Sequence, residues 1–220
     1  MPKPRVILFT GISLDGRLDN NVDLGLYYGL AASWSADAML SGSGTMLAAF
    51  TGQEEMPAEA QVGSKQLIPN AIPYLAIFDS RGRIHNWRQI QAQPYWGQAV
   101  ALFSHSTPQS ALQEAEMAGV PFILTGKDRV DLAAALEELN ARYQIRTLRV
   151  DSGGRLNGAL LQAGLVDEVS VLLGASLAGS GVPAAFSGAG SNNIRIALRL
   201  VHCEKVADDT VWLRYEVKRE

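Results

Sequence analysis

The sequence predicts an α/β fold with a mixed, mostly parallel sheet flanked by helices, and three features of the 220-residue chain indicate it. Continuous apolar runs such as residues 6–12 are typical of strands covered on both faces. They alternate with stretches of helical period such as residues 132–143. On both sides of Asp208 and Asp209 the pattern changes to strict apolar–polar alternation, which predicts a C-terminal antiparallel hairpin.

The first half of the chain contains predicted strands that end in glycine-rich or polar turns. They cover residues 6–12, 38–40, 74–78 and 99–103. A loop rich in Gly, Asp and Asn follows the first strand, and residues 26–37 have a helical pattern. Residues 51–70 are polar with scattered Gly and Pro, which predicts a long loop of the kind that often covers a site.

The second half repeats the alternation. Thr107 is the predicted N-cap of a helix, with Pro108 as its first residue and Gly119 at its far end. The remaining predicted elements are strands at 120–124, 147–150 and 169–173, helices at 132–143 and 156–163, and hairpin strands from Ile194 and Val211. Because no internal repeat or clear linker is visible, we predict a single domain over residues 1–220.

Composition excludes several classes of protein. The formal net charge of −3 gives no bulk attraction to nucleic acid or an anionic membrane. Cys203 is the sole cysteine, so an intramolecular disulfide and a CxxC pair are excluded, as expected in a reducing cytoplasm. No apolar run approaches the roughly 20 residues that span a bilayer, and the N-terminal run is too short for a signal peptide. We expect a soluble protein that is not exported.

The motifs give no indication of catalysis by a metal ion or by a nucleophilic side chain. The three histidines, His85, His105 and His202, lie far apart without metal-ligand spacing. HExxH, Walker A and G-x-S-x-G patterns are absent. We therefore expect no metal site.

A Gly-Gly turn between a strand and a helix gives the strongest indication of ligand binding. After Asp151, Gly153 and Gly154 lead into a helix that begins near Arg155 and Leu156. Glycines allow close approach of backbone N–H groups, and a helix N-terminus attracts a pyrophosphate. Such a turn is also often only a tight connection, and both interpretations remain open.

Two further turns follow strands. Gly42, Ser43 and Thr45 form a glycine-rich turn, which is either part of the same ligand crevice or a connection with a helix cap. The turn at 79–83 contains Ser80 and the arginines Arg81 and Arg83. Guanidinium groups bind phosphate bidentately, so this turn either holds a 2′-phosphate or is a solvated surface turn.

Carboxylates and an arginine at two strand ends complete the candidates. Asp15 and Arg17 follow the first strand, whereas Asp167 and Glu168 open a later one. These side chains either orient a polar substrate or form surface ion pairs of little energetic consequence. The pattern alone favours surface pairs.

Three segments, in order, resemble the reductase module of riboflavin biosynthesis, which has the dihydrofolate-reductase-like fold. Residues 13–17 (SLDGR) resemble its S-x-DG-K/R signature, and residues 37–45 (DAMLSGSGT) resemble its DA-x-x-x-G-x-x-T segment. Residues 150–168 (VDSGGRLNGALLQAGLVDE) resemble its GG-x-L turn, short helix and L-x-DE. The resemblance spans roughly residues 6–217.

The resemblance implies a homodimer that binds NADPH and reduces the ribosylamino side chain of a diaminopyrimidinone 5′-phosphate to ribitylamino. It places Arg17 and Asp15 near the substrate and Glu168 at its ribose end. Combined with the turns above, the predicted cofactor contacts are Gly42, Ser43, Thr45, Ser80, Arg81, Arg83, Gly126, Gly153, Gly154, Arg155 and Leu156. The motifs assign no catalytic acid.

One departure bears on the substrate. After the threonine the family usually continues with an aspartate-proline pair, then leucine and arginine, but Ala49 occupies the aspartate position here. The single cysteine is not in a PCxxC motif, so we expect no deaminase-like domain of the kind that often precedes this module. A reductase of the same fold with another small carbonyl, imine or pteridine substrate is therefore an alternative, as is a dimeric nucleotide-binding protein without turnover.

Overall fold

The computed structural model describes residues 2–18, 22–52, 73–189, 195–207 and 209–219. The chain divides into two compact units, which are described separately. The first comprises Met1–Pro4 and Asp37–Arg146, and the second comprises Arg5–Ala36 and Thr147–Glu220. The single-domain organisation stays a prediction.

Strands and helices alternate within the described ranges until the two final strands. The strands are β1 (Arg5–Ile12), β2 (Ala38–Gly42), β3 (Tyr74–Phe78), β4 (Ala99–Phe103), β5 (Phe122–Leu124), β6 (Thr147–Val150), β7 (Glu168–Gly174), β8 (Leu198–Ala207) and β9 (Thr210–Val217). The helices are α1 (Leu24–Ala31), α2 (Ser43–Ala49), α3 (Trp87–Ala92), α4 (Gln109–Met117), α5 (Leu132–Tyr143) and α6 (Gly154–Gln162).

In the first unit, β5, β4, β3 and β2 lie side by side in that order, and all their pairings are parallel. Every residue of β4 is buried, which is why its sequence is a continuous apolar run. A core formed by Ile77, Trp87 and Phe103 with their neighbours packs against these strands. α5 begins where the Asp131 carboxylate accepts a hydrogen bond from the Ala134 amide at 3.0 Å.

In the second unit, β1 lies between β6 and β7 and pairs in parallel with both. β9 continues the sheet antiparallel to β7, and β8 pairs antiparallel with β9 at the edge. A small core of Phe9, Tyr27, Ala31, Leu172 and Trp212 packs on this sheet. The predicted mixed, mostly parallel sheet with a C-terminal antiparallel hairpin is confirmed.

Several predicted boundaries differ from those of the structure. Thr107 does not cap α4, because its hydroxyl group accepts from the Ser104 amide and donates to the Ser80 carbonyl; Pro108 is the N-cap instead. The helix predicted at 26–37 ends at Ala31, and Ser35 has a left-handed φ of 44°. The strand predicted at 120–124 is shorter and begins at Phe122.

The first strand of the hairpin is mostly exposed. Its alternating apolar residues are typical of a half-buried strand, but eight of the ten residues of β8 are exposed. β8 lies at the edge of the described sheet, so β9 covers only one of its sides. Ile194, Asp208 and residues 53–70 of the predicted long loop lie outside the described residues.

Candidate functional site

In the first unit, the glycine-rich turn after β2 leads directly into α2. Gly42 is the N-cap, and no side chain caps this helix. The Ser43 hydroxyl accepts a hydrogen bond from Nη2 of Arg83 at 2.8 Å. Two of the predicted cofactor residues are thus in contact, while Thr45, two residues further along α2, is partly buried.

The turn after β3 has a buried base and an exposed basic rim. Asp79 is 1% exposed, and its carboxylate accepts from the Ile84 amide at 2.9 Å. The Ser80 hydroxyl accepts from the Val130 amide at 3.0 Å, so this side chain holds two loops together. Arg81 and Arg83 are exposed, which leaves their guanidinium groups accessible to an anion.

Gly126 lies in a turn that follows β5 and has a φ of +69°. A Cβ atom at this position would lie 2.0 Å from the Arg129 carbonyl oxygen. The protein's own backbone therefore explains why a glycine stands here. Contact with a cofactor stays a prediction for this residue.

In the second unit, residues 13–17 form a tight turn after β1. The Ser13 hydroxyl donates to Oδ1 of Asp15 at 2.6 Å and accepts from the Arg17 amide at 3.1 Å. Asp15 also accepts from the amides of Ala178 and Gly179. The hydrogen bond from Ser13, followed by those from the backbone, lowers the pKa of Asp15 to about 2. Asp15 therefore shapes this loop, and its place near a substrate stays a prediction.

The same turn is joined to the segment that follows β7. The Leu14 amide donates to the Ser176 carbonyl at 2.8 Å, and the Ala185 amide donates to the Gly16 carbonyl at 3.0 Å. Nη1 of Arg17 donates to the Val182 carbonyl at 3.3 Å. Arg17 is thus anchored and only partly buried.

The segment after β7 also packs on α6. A Cβ atom on Gly154 would lie 1.8 Å from the Ala184 carbonyl oxygen, and one on Gly158 would lie 1.9 Å from that of Ser187. The Asn157 amide group donates to the Ala185 carbonyl at 3.0 Å. The space beside Gly154 is therefore filled by the chain itself. Two of the three sequence motifs, the β1 turn and the Gly-Gly turn, meet on one scaffold.

The N-terminus of α6 retains the features of an anion site. Gly153 is the N-cap, and no side chain caps the helix. Arg155 is exposed in the first turn, and Leu156 is partly buried. A cation at the positive end of a helix dipole is unfavourable unless an anion accompanies it.

Glu168 lies away from the other predicted substrate residues. It opens β7 opposite Ile7, whereas the Asp15 turn follows the far end of β1. Glu168 is 1% exposed, and Arg5 and Arg214 each lie 2.6 Å from its carboxylate. Nε1 of Trp34 donates to it as well, at 3.2 Å. The alternative of a surface ion pair is wrong for this residue, and its substrate role stays a prediction.

Sequence reasoning missed a polar group beside the Gly-Gly turn. The Tyr27 hydroxyl donates to the Phe9 carbonyl at 2.9 Å and lies 3.3 Å from Oδ1 of Asp151. Burial raises the pKa of Asp151 above its ordinary value, while Arg149 and Tyr27 act in the opposite direction. Burial raises the pKa of Tyr27 as well. The only sequence signal was the position of Asp151 at a strand end.

A sequence model of the family described as the RibD C-terminal domain matches residues 4–212. The chain belongs to the RibD C-terminal domain family. The predicted resemblance to the reductase module of riboflavin biosynthesis is thereby confirmed. The family match also includes all three motifs described above.

Two named proteins are similar in sequence to this RibD-family chain. The 2,5-diamino-6-ribosylamino-4(3H)-pyrimidinone 5′-phosphate reductase of Archaeoglobus fulgidus is 28% identical over 186 residues, which are 78% of this chain and 80% of the relative. The riboflavin biosynthesis protein RibD of Escherichia coli is 30% identical over 146 residues. That match covers 65% of this chain but only 38% of the Escherichia coli protein.

Solved structures share the RibD-family fold. A pyrimidine reductase-like protein from Corynebacterium diphtheriae has a TM-score of 0.76 at 16% identity, over 99% of this chain and 93% of its own. Acinetobacter baumannii RibD has a TM-score of 0.70 at 21% identity, over 98% and 58%. The riboflavin biosynthesis reductase of Saccharomyces cerevisiae has a TM-score of 0.68 at 18% identity, over 98% and 90%.

Among the described residues, none of the helices combines the length and apolar character that a membrane span requires. Within the same ranges, no three His, Cys, Asp or Glu side chains come together as metal ligands.

Proposed function

We propose that this protein is an NADPH-dependent reductase that converts the ribosylamino side chain of a diaminopyrimidinone 5′-phosphate to ribitylamino. Membership of the RibD C-terminal domain family and the name of the Archaeoglobus fulgidus relative support this proposal. The observation that carries it in this chain is the N-terminus of α6. There an exposed arginine occupies the first turn of a helix that no side chain caps.

The residues present fit the pyrophosphate of a dinucleotide. Amide groups of the first turn of α6 supply donors, and Arg155 supplies a positive charge beside them. A bound pyrophosphate would neutralise the repulsion between Arg155 and the helix dipole. In this proposal Gly153, Gly154, Arg155 and Leu156 contact the cofactor, while Gly154 additionally accommodates the packing of Ala184.

The preference for NADPH over NADH is assigned to Arg81 and Arg83 of the first unit. Both side chains are exposed, and Arg83 is oriented by its hydrogen bond to Ser43. Planar guanidinium groups suit a 2′-phosphate. Gly42, Thr45, Ser80 and Gly126 remain predicted cofactor contacts of the first unit.

In this proposal the residues of the chain position the substrate, and the cofactor carries out the reduction. When bound, the cofactor supplies hydride to the carbon of the bond that is reduced. Arg17, held by the Val182 carbonyl, offers a cation to an anionic substrate, and Asp15 fixes its turn. Glu168 is retained as a proposed substrate residue, although its saturated ion pairs favour a structural role.

One observation favours a second candidate. Ala49 ends α2 and is exposed where the family usually has an aspartate, so a polar contact to the expected substrate is missing. The second candidate is an NADPH-dependent reductase of another small carbonyl, imine or pteridine compound. A nucleotide-binding dimer without turnover is the remaining alternative.

We also propose a cytoplasmic homodimer. The exposed, unpaired Cys203 suits a reducing compartment. The edge strand β8 exposes Leu198, Leu200 and Val201 to 40%, 51% and 41%. A long edge strand with exposed apolar residues presents a template for pairing with another chain, and a second copy of this protein would cover them.

Titration of the purified protein with NADPH and NADH tests the cofactor assignment. We expect NADPH to bind more tightly, and we expect Arg155→Ala to weaken its binding about tenfold or more, as for a charge-assisted hydrogen bond. The double variant Arg81→Ala, Arg83→Ala should lose the preference for NADPH while keeping NADH affinity. Arg142→Ala, which removes an exposed arginine on α5, is the control.

The outcomes separate the candidates. If neither nucleotide bound, the reductase proposal would be wrong. If NADPH bound and the pyrimidine substrate left it unconsumed, a panel of carbonyl, imine and pteridine compounds would distinguish the second reductase from the binding protein.

A further inference from the structure

The second unit contains a buried arginine whose guanidinium group has no partner among the described residues. Arg149 lies on β6 and is 8% exposed. Its Nε atom is buried without a hydrogen-bond partner, and no ion pair joins Arg149 to another described residue. A buried cation without an acceptor is unfavourable, and such a group in a native structure usually has a functional reason or a bound molecule beside it.

Arg149 lies on the same face of the sheet as Tyr27 and Asp151. It is paired in register with Ile7 of β1, and Ile7 shares its face with Phe9, two residues further along. The Phe9 ring stacks on Tyr27 of α1 at a centroid distance of 4.4 Å. Asp151 directly follows β6, and its Oδ1 accepts a hydrogen bond from the Tyr27 hydroxyl at 3.3 Å. The guanidinium group and the carboxylate are therefore neighbours on this face.

One oxygen of the Asp151 carboxylate is available to a ligand. Tyr27 holds Oδ1, whereas Oδ2 has no hydrogen-bond partner among the described residues, and Asp151 is only partly buried. Burial raises the pKa of this carboxyl group, and the positive charge of Arg149 opposes that effect, so the two groups lie within electrostatic range. A ligand that joins them must accept a hydrogen bond from Arg149 and donate one to Asp151.

The two charges select the chemistry of that ligand. An anion such as phosphate would be repelled by Asp151, and a cation would be repelled by Arg149. A neutral group with a carbonyl oxygen beside an N–H suits both, because a guanidinium group only donates and a carboxylate only accepts. The lactam edge of a 4(3H)-pyrimidinone has this pattern, since its ring carbonyl adjoins the N3–H group. Asp151 also stands two residues before Gly153, where the proposed cofactor turn begins.

We propose that Arg149 and Asp151 bind the pyrimidinone ring of the substrate by its lactam edge. Arg149 donates to the ring carbonyl oxygen, and Oδ2 of Asp151 accepts from N3–H. This assignment rests on the proposed reductase function and deepens it, because it names the residues that recognise the ring. A pterin ring has the same lactam edge, so the experiment compares the two ring systems.

Isothermal titration calorimetry with isolated rings tests the assignment without cofactor or turnover. The probes are 2,6-diaminopyrimidin-4(3H)-one and its 3-methyl derivative, which lacks N3–H. We expect the wild type to bind the parent ring at least about tenfold more tightly, as for loss of a hydrogen bond to a charged group. Asp151→Ala should abolish this difference. Pterin is titrated in parallel, and the ring that binds more tightly identifies the source of the lactam edge.

Substitution of Arg149 tests the other half of the site. Arg149→Met should weaken binding of the parent ring about tenfold or more. Its Tm should be unchanged or higher, since an unpaired buried charge is removed. Arg149→Lys keeps the charge and should also weaken binding, because an ammonium group lacks the planar fork. Arg142→Met, which removes an exposed arginine on α5, is the control and should leave ring binding unchanged.

Either of two results overturns the assignment. One is a wild type that binds neither ring, or that binds the 3-methyl derivative as tightly as the parent. The other is an Arg149→Met or Arg149→Lys variant that keeps the wild-type affinity, as expected if Arg149 only supports the fold. A failure of the reductase function is distinguishable, because it appears as absent NADPH consumption in a wild type that still binds the ring with these dependences.

Discussion

The partners of a single residue indicate whether its role is structural or chemical. Glu168 and Asp151 are both carboxyl groups beside strands of the second unit, yet Glu168 is saturated by cations and Asp151 is not. Sequence alone does not distinguish them. Tyr27 lies 124 residues from Asp151 and belongs to an apolar helix, so no local pattern indicates their contact.

The ion cluster at Glu168 leads to a stability prediction. Glu168→Gln leaves Arg214 and Arg5 without their counter-charge, and loss of one partner from a buried pair costs about 3 kcal/mol. Urea unfolding measures this loss. Glu216→Gln, which breaks an exposed pair with Arg199, should cost less than about 1 kcal/mol. An unchanged stability with a raised KM would favour the substrate role instead.

At the scale of helices and strands, packing explains which elements were predicted correctly from the sequence. Parallel strands buried on both faces need continuous apolar residues, so β1, β3, β4 and β6 were predicted nearly to the residue. The six-residue α3 was missed because it is too short to display a helical period. β8 has the alternation of a half-buried strand, but nothing in its sequence reveals that it is an edge.

Helical glycines give a matched pair of substitutions. In α6, Gly158→Ala places a Cβ atom 1.9 Å from the Ser187 carbonyl, which should destabilise the protein by at least about 1 kcal/mol. In α1, Gly29→Ala meets nothing within 4 Å and should stabilise by up to about 1 kcal/mol. Thermal unfolding measures both. Equal effects would mean that the segment after β7 does not pack on α6 as described.

At the scale of the whole molecule, the exposed leucines of β8 determine the expected assembly. Leu200→Glu places a charge in the proposed interface and should convert a dimer into a monomer, as measured by sedimentation equilibrium. Leu177→Glu is the control, since Leu177 is 76% exposed outside β8. A wild-type monomer, or a Leu200→Glu dimer of unchanged affinity, would contradict this interface.

The discontinuous second unit has a consequence for synthesis on the ribosome. Residues 37–146 form a contiguous part of the first unit, whereas the second combines residues 5–36 with 147–220. Among the described strands β1 pairs with β6 and β7, so after Ile12 is synthesised β1 has no partner strand until residues beyond 147 follow. At translation rates of roughly 5–20 residues per second, that delay is on the order of ten seconds. During this delay β1, which has five consecutive positions that are buried in the folded protein, has no partner strand. We therefore expect chaperones that hold apolar segments to bind nascent β1.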